Sequence, residues 1–129
     1  MNFPQELKYS KDHEWFKSTG AASGLVGITD YAQHQLGDLV FVNLPQPGDE
    51  VTAGQPLGDV ESVKAVSDVL SPVTGVVKAV NNDLLDNPAS INQAPYGAWF
   101  IEVENITAQD DLMDAAAYQK VCEEEQKGG

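Results

Sequence analysis

The sequence predicts a mainly β protein, a sandwich or barrel of short strands with small helices added. Three observations predict it. Eleven glycines and seven prolines in 129 residues cut the middle of the chain into pieces shorter than an ordinary helix. Those pieces are rich in valine and other β-branched or aromatic residues, which favour strands. Only the last part, 110–125, is rich in Ala, Asp and Glu, with Leu112, Met113, Ala116, Tyr118 and Val121 at loosely helical spacing.

The elements follow in order. Residues 25–29 (LVGIT) read as a strand. Asp30 is a candidate N-cap for a helix over 31–36, which Gly37 ends. Residues 39–44 (LVFVNL) form the next strand, and Pro45-Gln46-Pro47-Gly48 turns the chain. Val51 opens another strand, with Ala53-Gly54 as its turn. Residues 72–75 (PVTG) read as a turn before a strand over 76–80, and 98–103 (AWFIEV) as the last strand. Residues 17–24 read as a loop of small residues, uncharged after Lys17. Gly128-Gly129 reads as a frayed end. The length fits one domain over 1–129, with a core over about 7–105 and a C-terminal helical segment over about 108–126.

Twenty acidic residues face seven lysines and no arginine, a net charge of −13. Nucleic acid and anionic membrane surfaces are thereby disfavoured, because both require clustered cations. Partners steered by this charge would be basic proteins, although solubility alone also explains it. No apolar run reaches the roughly 18 residues of a membrane span. The first fifteen residues, MNFPQELKYSKDHEW, carry acids and lack an apolar h-region. The chain is therefore expected in a bacterial cytoplasm, ahead of a mature mitochondrial location. The single Cys122 permits no internal disulfide; any dithiol chemistry needs sulfur from elsewhere. His13 and His34 lack metal-ligand spacing, so no metal is expected, and no nucleophile motif or phosphate loop suggests an enzyme.

Residues 54–77 (GQPLGDVESVKAVSDVLSPVTGVV) admit two readings. Leu57, Val60, Val63, Val66 and Val69 recur every third residue, as on one helix face, where Lys64 would be a solvated charge paired with Glu61 and Asp68. Against this, valine is abundant, Gly58 interrupts, and Gly/Pro punctuation crowds both sides. Two strands, over about 57–62 and 65–70, joined by a tight turn holding Lys64, fit equally short stretches.

Glu61-Ser62-Val63-Lys64-Ala65, with Gly75 eleven residues after the lysine, resembles the attachment signature of biotinyl/lipoyl carrier domains. Further elements resemble the glycine cleavage system H protein family. They include Lys8-Tyr9-Ser10, His13-Glu14-Trp15, Val26-Gly27-Ile28-Thr29, Ala32-Gln33, Leu36-Gly37-Asp38, Val40-Phe41-Val42, Leu44-Pro45, Ile91-Asn92 and Pro95-Tyr96. The likeness runs from about residue 7 to residue 125. It implies a barrel-sandwich hybrid, a flattened β-barrel of two antiparallel sheets, with short helices and a C-terminal helix. Lys64 would stand at a hairpin tip and carry lipoic acid as an amide, attached by a lipoate ligase or octanoyltransferase. The implied partners are glycine decarboxylase (P protein, with pyridoxal phosphate), aminomethyltransferase (T protein, with tetrahydrofolate) and dihydrolipoamide dehydrogenase (L protein, with flavin and NAD). The chain would be a non-catalytic carrier that shuttles an aminomethyl group between them.

The resemblance also implies a surface cleft that shelters the loaded arm, with carboxylates near its amine. Glu14 and Asp68 match that cleft; Asp12 and His34 are further candidates, and His13 is expected to be structural. A biotin carrier is the first rival, but its lysine usually lies between two methionines, whereas Val63 and Ala65 flank this one. A carrier that relays lipoyl groups to other complexes is the second. Two departures from the family stand out: the loop Pro95-Tyr96-Gly97-Ala98-Trp99 looks one residue short, and the 17–24 loop is unusually small.

Overall fold

The computed structural model describes residues 2–128. In chain order the elements are β1 (Lys8–Tyr9), β2 (Glu14–Gly20), β3 (Ser23–Ile28), α1 (Asp30–Leu36), β4 (Leu39–Asn43), β5 (Glu50–Val51), β6 (Pro56–Ser62), β7 (Val66–Leu70), β8 (Val73–Val80), α2 (Asp83–Asp86), α3 (Ala89–Gln93), β9 (Ile101–Gln109) and α4 (Ala115–Gly128). The strands make two antiparallel sheets, one ordered β1-β2-β3-β9-β8-β5 and the other β4-β6-β7. The mainly β class, the two sheets, the short helices and the C-terminal helix all stand as expected. The hydrogen-bond ladder, however, does not run from one sheet into the other, so the layers are not closed into a barrel.

Alternation explains how the layers meet. In β8 and β9, Val73, Val77, Ile101 and Val103 turn inward; in β6 and β7, Val60 and Val69 do. Together with Val26, Ile28, Val42 and Phe100 they fill one shared core. A second cluster joins Leu7, Tyr9, Trp15 and Tyr31 to Ala115, Tyr118 and Cys122 of α4. Tyr118 stacks on Tyr9 with ring centroids 4.6 Å apart, and its hydroxyl lies 2.6 Å from Thr29 Oγ1 and 2.8 Å from His13 Nδ1. His13 Nε2 in turn meets Glu125 at 2.8 Å. His13 therefore fastens α4 to the start of β2, the structural role expected of it.

Several local readings need correction. Thr29, not Asp30, caps α1: its side chain accepts the Ala32 N–H at 3.1 Å, while Asp30 occupies the first turn and accepts from Gln33 Nε2. Residues 17–20 belong to β2, because Lys17 and Ser18 pair with Leu25 and Gly24, which leaves only a tight turn before β3. Residues 72–75 are no turn. The chain bends at Pro72 alone, beside Ser71, whose Oγ donates to Val73 O at 2.6 Å, and β8 begins at Val73. The last strand starts later and runs further than 98–103, because β9 follows β8 to the pairing of Val73 with Gln109. The C-terminal helix starts at Ala115 rather than near 108. Met113 is held extended by exchanging backbone bonds with Tyr9 at 2.7 and 2.8 Å, and Asp114 Oδ1 caps the helix at Ala117 N. The helix itself reaches Gly128; of the expected frayed end, Gly129 lies outside the described residues.

Candidate cofactor-attachment site

Residues 57–70 form a hairpin, not a helix. Glu61 pairs with Val66 as the last regular rung of β6 and β7. Beyond it Ser62 N–H donates to Ala65 O at 2.8 Å, and Val63 and Lys64 make the tip. Ser62 organises this turn from within. It is buried, and its Oγ accepts the N–H groups of Lys64 and Ala65 at 3.3 and 3.1 Å. Val63 N–H donates to Asp38 O at 3.3 Å, which ties the tip to the entry of β4. The Lys64 side chain is exposed, so a short, braced turn presents one primary amine to solvent.

The lysine stem lies over Gly37, at the C-terminal end of α1. A Cβ built on Gly37 would sit 3.6 Å from Lys64 Cε and 3.9 Å from Nζ. Gly37 adopts φ +83°, where a side chain would also be strained. Asn92 of α3 holds this corner: its Nδ2 donates to Gly37 O and Gln33 Oε1, both at 2.9 Å, and its Oδ1 accepts Leu39 N–H at 2.9 Å. The sequence showed Asn92 only as a matched residue; its bracing role needs three elements to converge.

α1 also walls a cavity of about 350 Å³. Ile28, Tyr31, Leu36, Val60 and Val69 supply its apolar lining, and Asp12, Glu14, Asp68 and Glu125 bring four carboxylates to it. A neighbouring depression shares Asp12, Glu14, Asp68 and Glu125, so the hollow continues across the edge strand β7. Of the candidate residues, Asp12, Glu14 and Asp68 are thus brought together. His34 is exposed on the last turn of α1 and is not among the lining residues. Glu125 was missed; it arrives from α4, and one acid among twenty carries no local signal of that.

Glu14 is the unusual member. It is 3% exposed. Ser10 Oγ donates to Glu14 Oε1 at 2.6 Å and accepts the Glu14 N–H at 3.1 Å. Burial pushes the carboxyl up to about 8; the Ser10 hydroxyl opposes this, Asp12 adds to it, and the Leu70 backbone opposes it. An empty cleft at neutral pH therefore holds Glu14 chiefly as the neutral acid, and an entering cation would draw it toward the carboxylate.

The motif residues Glu61 and Gly75 lie apart. Glu61 is exposed on β6, three residues before the lysine. Gly75 is buried in β8, in the other sheet, where a Cβ would come within 2.6 Å of Val103 Cγ1 and 2.7 Å of Glu104 O. It sits at the register irregularity between Thr74 and Val76, where β8 lies close against its sheet neighbour β9. Cys122 is buried and its thiol is pushed upward, first by burial. Among the described residues no cluster of metal-binding side chains occurs, and no helix is long and apolar enough to cross a membrane.

A cavity lined by apolar side chains and carboxylates can take an apolar tether with a cationic end. Comparison with known proteins shows the family. The family model described as glycine cleavage H-protein matches residues 7–125. The glycine cleavage system H protein of Lachnoclostridium phytofermentans is 50% identical over 125 residues, covering 97% of this chain and 98% of that protein. Its counterpart from Halalkalibacterium halodurans is 51% identical over 127 residues, with 96% and 98% covered. The crystal structure of a glycine cleavage system H protein from Mycobacterium marinum superposes with a TM-score of 0.86 at 40% identity, covering 98% of this chain and all of that one.

Proposed function

Because the chain belongs to the glycine cleavage H-protein family, and so is the lipoyl carrier of the glycine cleavage system, we propose that Lys64 is the residue that bears the lipoyl group. The observation that most supports this is the exposed amine on a two-residue hairpin tip, braced by Ser62, with its stem over Gly37 at the end of α1. Attachment is acyl transfer. The deprotonated amine attacks the carbonyl of an activated acyl donor, a C–N bond forms, the bond to the leaving group breaks, and the amine's proton passes to solvent. A guanidinium could not take part, since it stays protonated.

When bound, the lipoyl group supplies a disulfide–dithiol couple that takes up and hands on the aminomethyl unit of glycine. The chain's own residues do the rest. The Lys64 stem gives reach and a high local concentration at a docked enzyme. Ile28, Tyr31, Leu36, Val60 and Val69 exclude water from an arm lying in the cleft. Glu14, Asp68 and Asp12 meet the cationic amine there, with Glu14 releasing its proton as the amine enters. His34 has no part in the cleft. The carrier performs no catalytic step; buried Cys122 offers no accessible nucleophile. Its partners in the cycle are the P, T and L proteins, and a lipoate ligase or octanoyltransferase serves the attachment.

Intact-mass and peptide mass spectrometry on protein expressed in lipoate-replete cells tests the assignment. A lipoyl adduct on Lys64 is expected, together with glycine-dependent NADH formation when the P, T and L proteins are added. An adduct on another lysine, or biotin on Lys64, would overturn it. Lipoylated protein that supports no NADH formation would indicate a relay to other complexes instead.

A further inference from the structure

We propose that the outer face of the β4-β6-β7 sheet is the docking surface for the acyl-transferring enzyme that modifies Lys64, and that this enzyme meets it with an apolar patch bordered by cations. The proposal rests on the assignment of Lys64 as the attachment residue. Five large hydrophobic side chains are exposed among the described residues, and four of them belong to this sheet or its hairpin tip: Val40 at 50%, Phe41 at 52%, Val63 at 75% and Val66 at 64%. The register gathers them. Phe41 pairs with Glu61 and Glu61 with Val66, so one row across the sheet reads apolar, acidic, apolar. Val40 stands at the irregularity between Leu39 and Phe41, and Val63 sits beside the lysine. An exposed apolar cluster with a polar border marks an interaction surface.

Charge identifies the character of the partner. The next row pairs Asp59 directly with Asp68, which on the edge strand β7 also borders the cleft, and like charges opposite one another destabilise a sheet. With Glu61, these two rows carry three carboxylates and no cation. In a chain of net charge −13 this face draws in a basic surface and repels a second copy of the protein.

Reach identifies the partner itself. An enzyme that acts on the amine must close over the hairpin within the length of a four-carbon stem, where Val63 adjoins the lysine and the Phe41–Glu61–Val66 row is the last regular rung before the tip. Enzymes that act on the far end of the attached arm work at a distance and need not cover the tip.

The test uses the unmodified full chain with a lipoate ligase, lipoate and ATP, following the mass gain at Lys64. The double variant Phe41→Thr/Val66→Thr keeps β-favouring side chains on exposed positions, so circular dichroism and thermal unfolding should match wild type. Its kcat/KM for acylation should fall at least about tenfold, as for a central interface patch. Wild-type kcat/KM should also fall as ionic strength rises from about 0.01 to about 0.15 M. Once driven to full modification, the variant should support glycine-dependent NADH formation at the wild-type rate. Acylation of the variant at the wild-type kcat/KM would overturn the proposal, as would normal acylation coupled with lost NADH formation, which would assign the face to another partner. A wild-type chain that gains no mass at Lys64 is a different result; it removes the attachment assignment and this proposal with it.

Discussion

Replacing Glu14 by Gln should change how stability responds to pH. Glu14 is 3% exposed, and burial is the first cause of its rise from an ordinary 4.5 to about 8. The folded protein therefore holds this proton more tightly than the unfolded chain does. Stability contributed by the group is fully present below pH 4.5, declines as pH rises toward 8, and is lost above it. Each pH unit by which ionisation is postponed is worth about 1.4 kcal/mol. The wild type should thus lose about 3 kcal/mol relative to the Gln variant between roughly pH 5 and pH 8, a ceiling because water entering the cleft screens the charge. Gln can still accept from Ser10, and any cost of its added N–H donors is independent of pH. Urea denaturation followed by the fluorescence of buried Trp15 reads this directly. With m about 1–3 kcal/mol/M, that ceiling corresponds to a change of about 1–3 M in the gap between the two midpoints across the range. Parallel pH profiles for the two proteins would refute the assignment of a high-pKa carboxyl at position 14.

Other perturbations separate the remaining roles. Lys64→Arg keeps an exposed cation, so unfolding should match wild type within about 0.5 kcal/mol while mass spectrometry shows no lipoyl adduct. Gly75→Ala forces a Cβ against Val103 and the Glu104 carbonyl and should cost about 1–3 kcal/mol by thermal unfolding, yet its folded fraction should be acylated normally; a selective acylation defect without destabilisation would contradict the steric reading. Tyr118→Phe removes the hydroxyl between Thr29 and His13 and should cost about 1–3 kcal/mol, with hydrogen exchange rising first in α4. Glu14→Ala should leave lipoylation intact and shorten the lifetime of the aminomethyl-loaded carrier; an unchanged decay rate would take Glu14 out of the amine-binding role.

The open and mistaken readings have a common origin. Valine at every third residue from Val60 to Val69 satisfies a helical period as well as a strand composition, and the pairing of Glu61 with Val66 decides for the hairpin. The stretch 72–75 carries the Pro and Gly of a turn, but at Gly75 the neighbouring strand β9 brings Val103 and the Glu104 carbonyl too close for a side chain. The last strand is expected to end at 103, but β8 supplies a partner as far as Gln109. In each case local composition was read correctly and a distant strand decided the outcome.

What the sequence determined by itself was the kind of layer, the motif around Lys64, and a single cysteine that permits no internal disulfide. These depend on side-chain type and on contacts a few residues apart, which are written locally. What only the tertiary structure decided was the cleft. Glu14 from β2, Asp68 from β7 and Glu125 from α4 come together there, while His34, a nearer neighbour of Tyr31 in the chain, turns to solvent. A carboxyl becomes a neutral acid through burial, and burial is a property of what packs around a residue, not of the residues beside it in sequence.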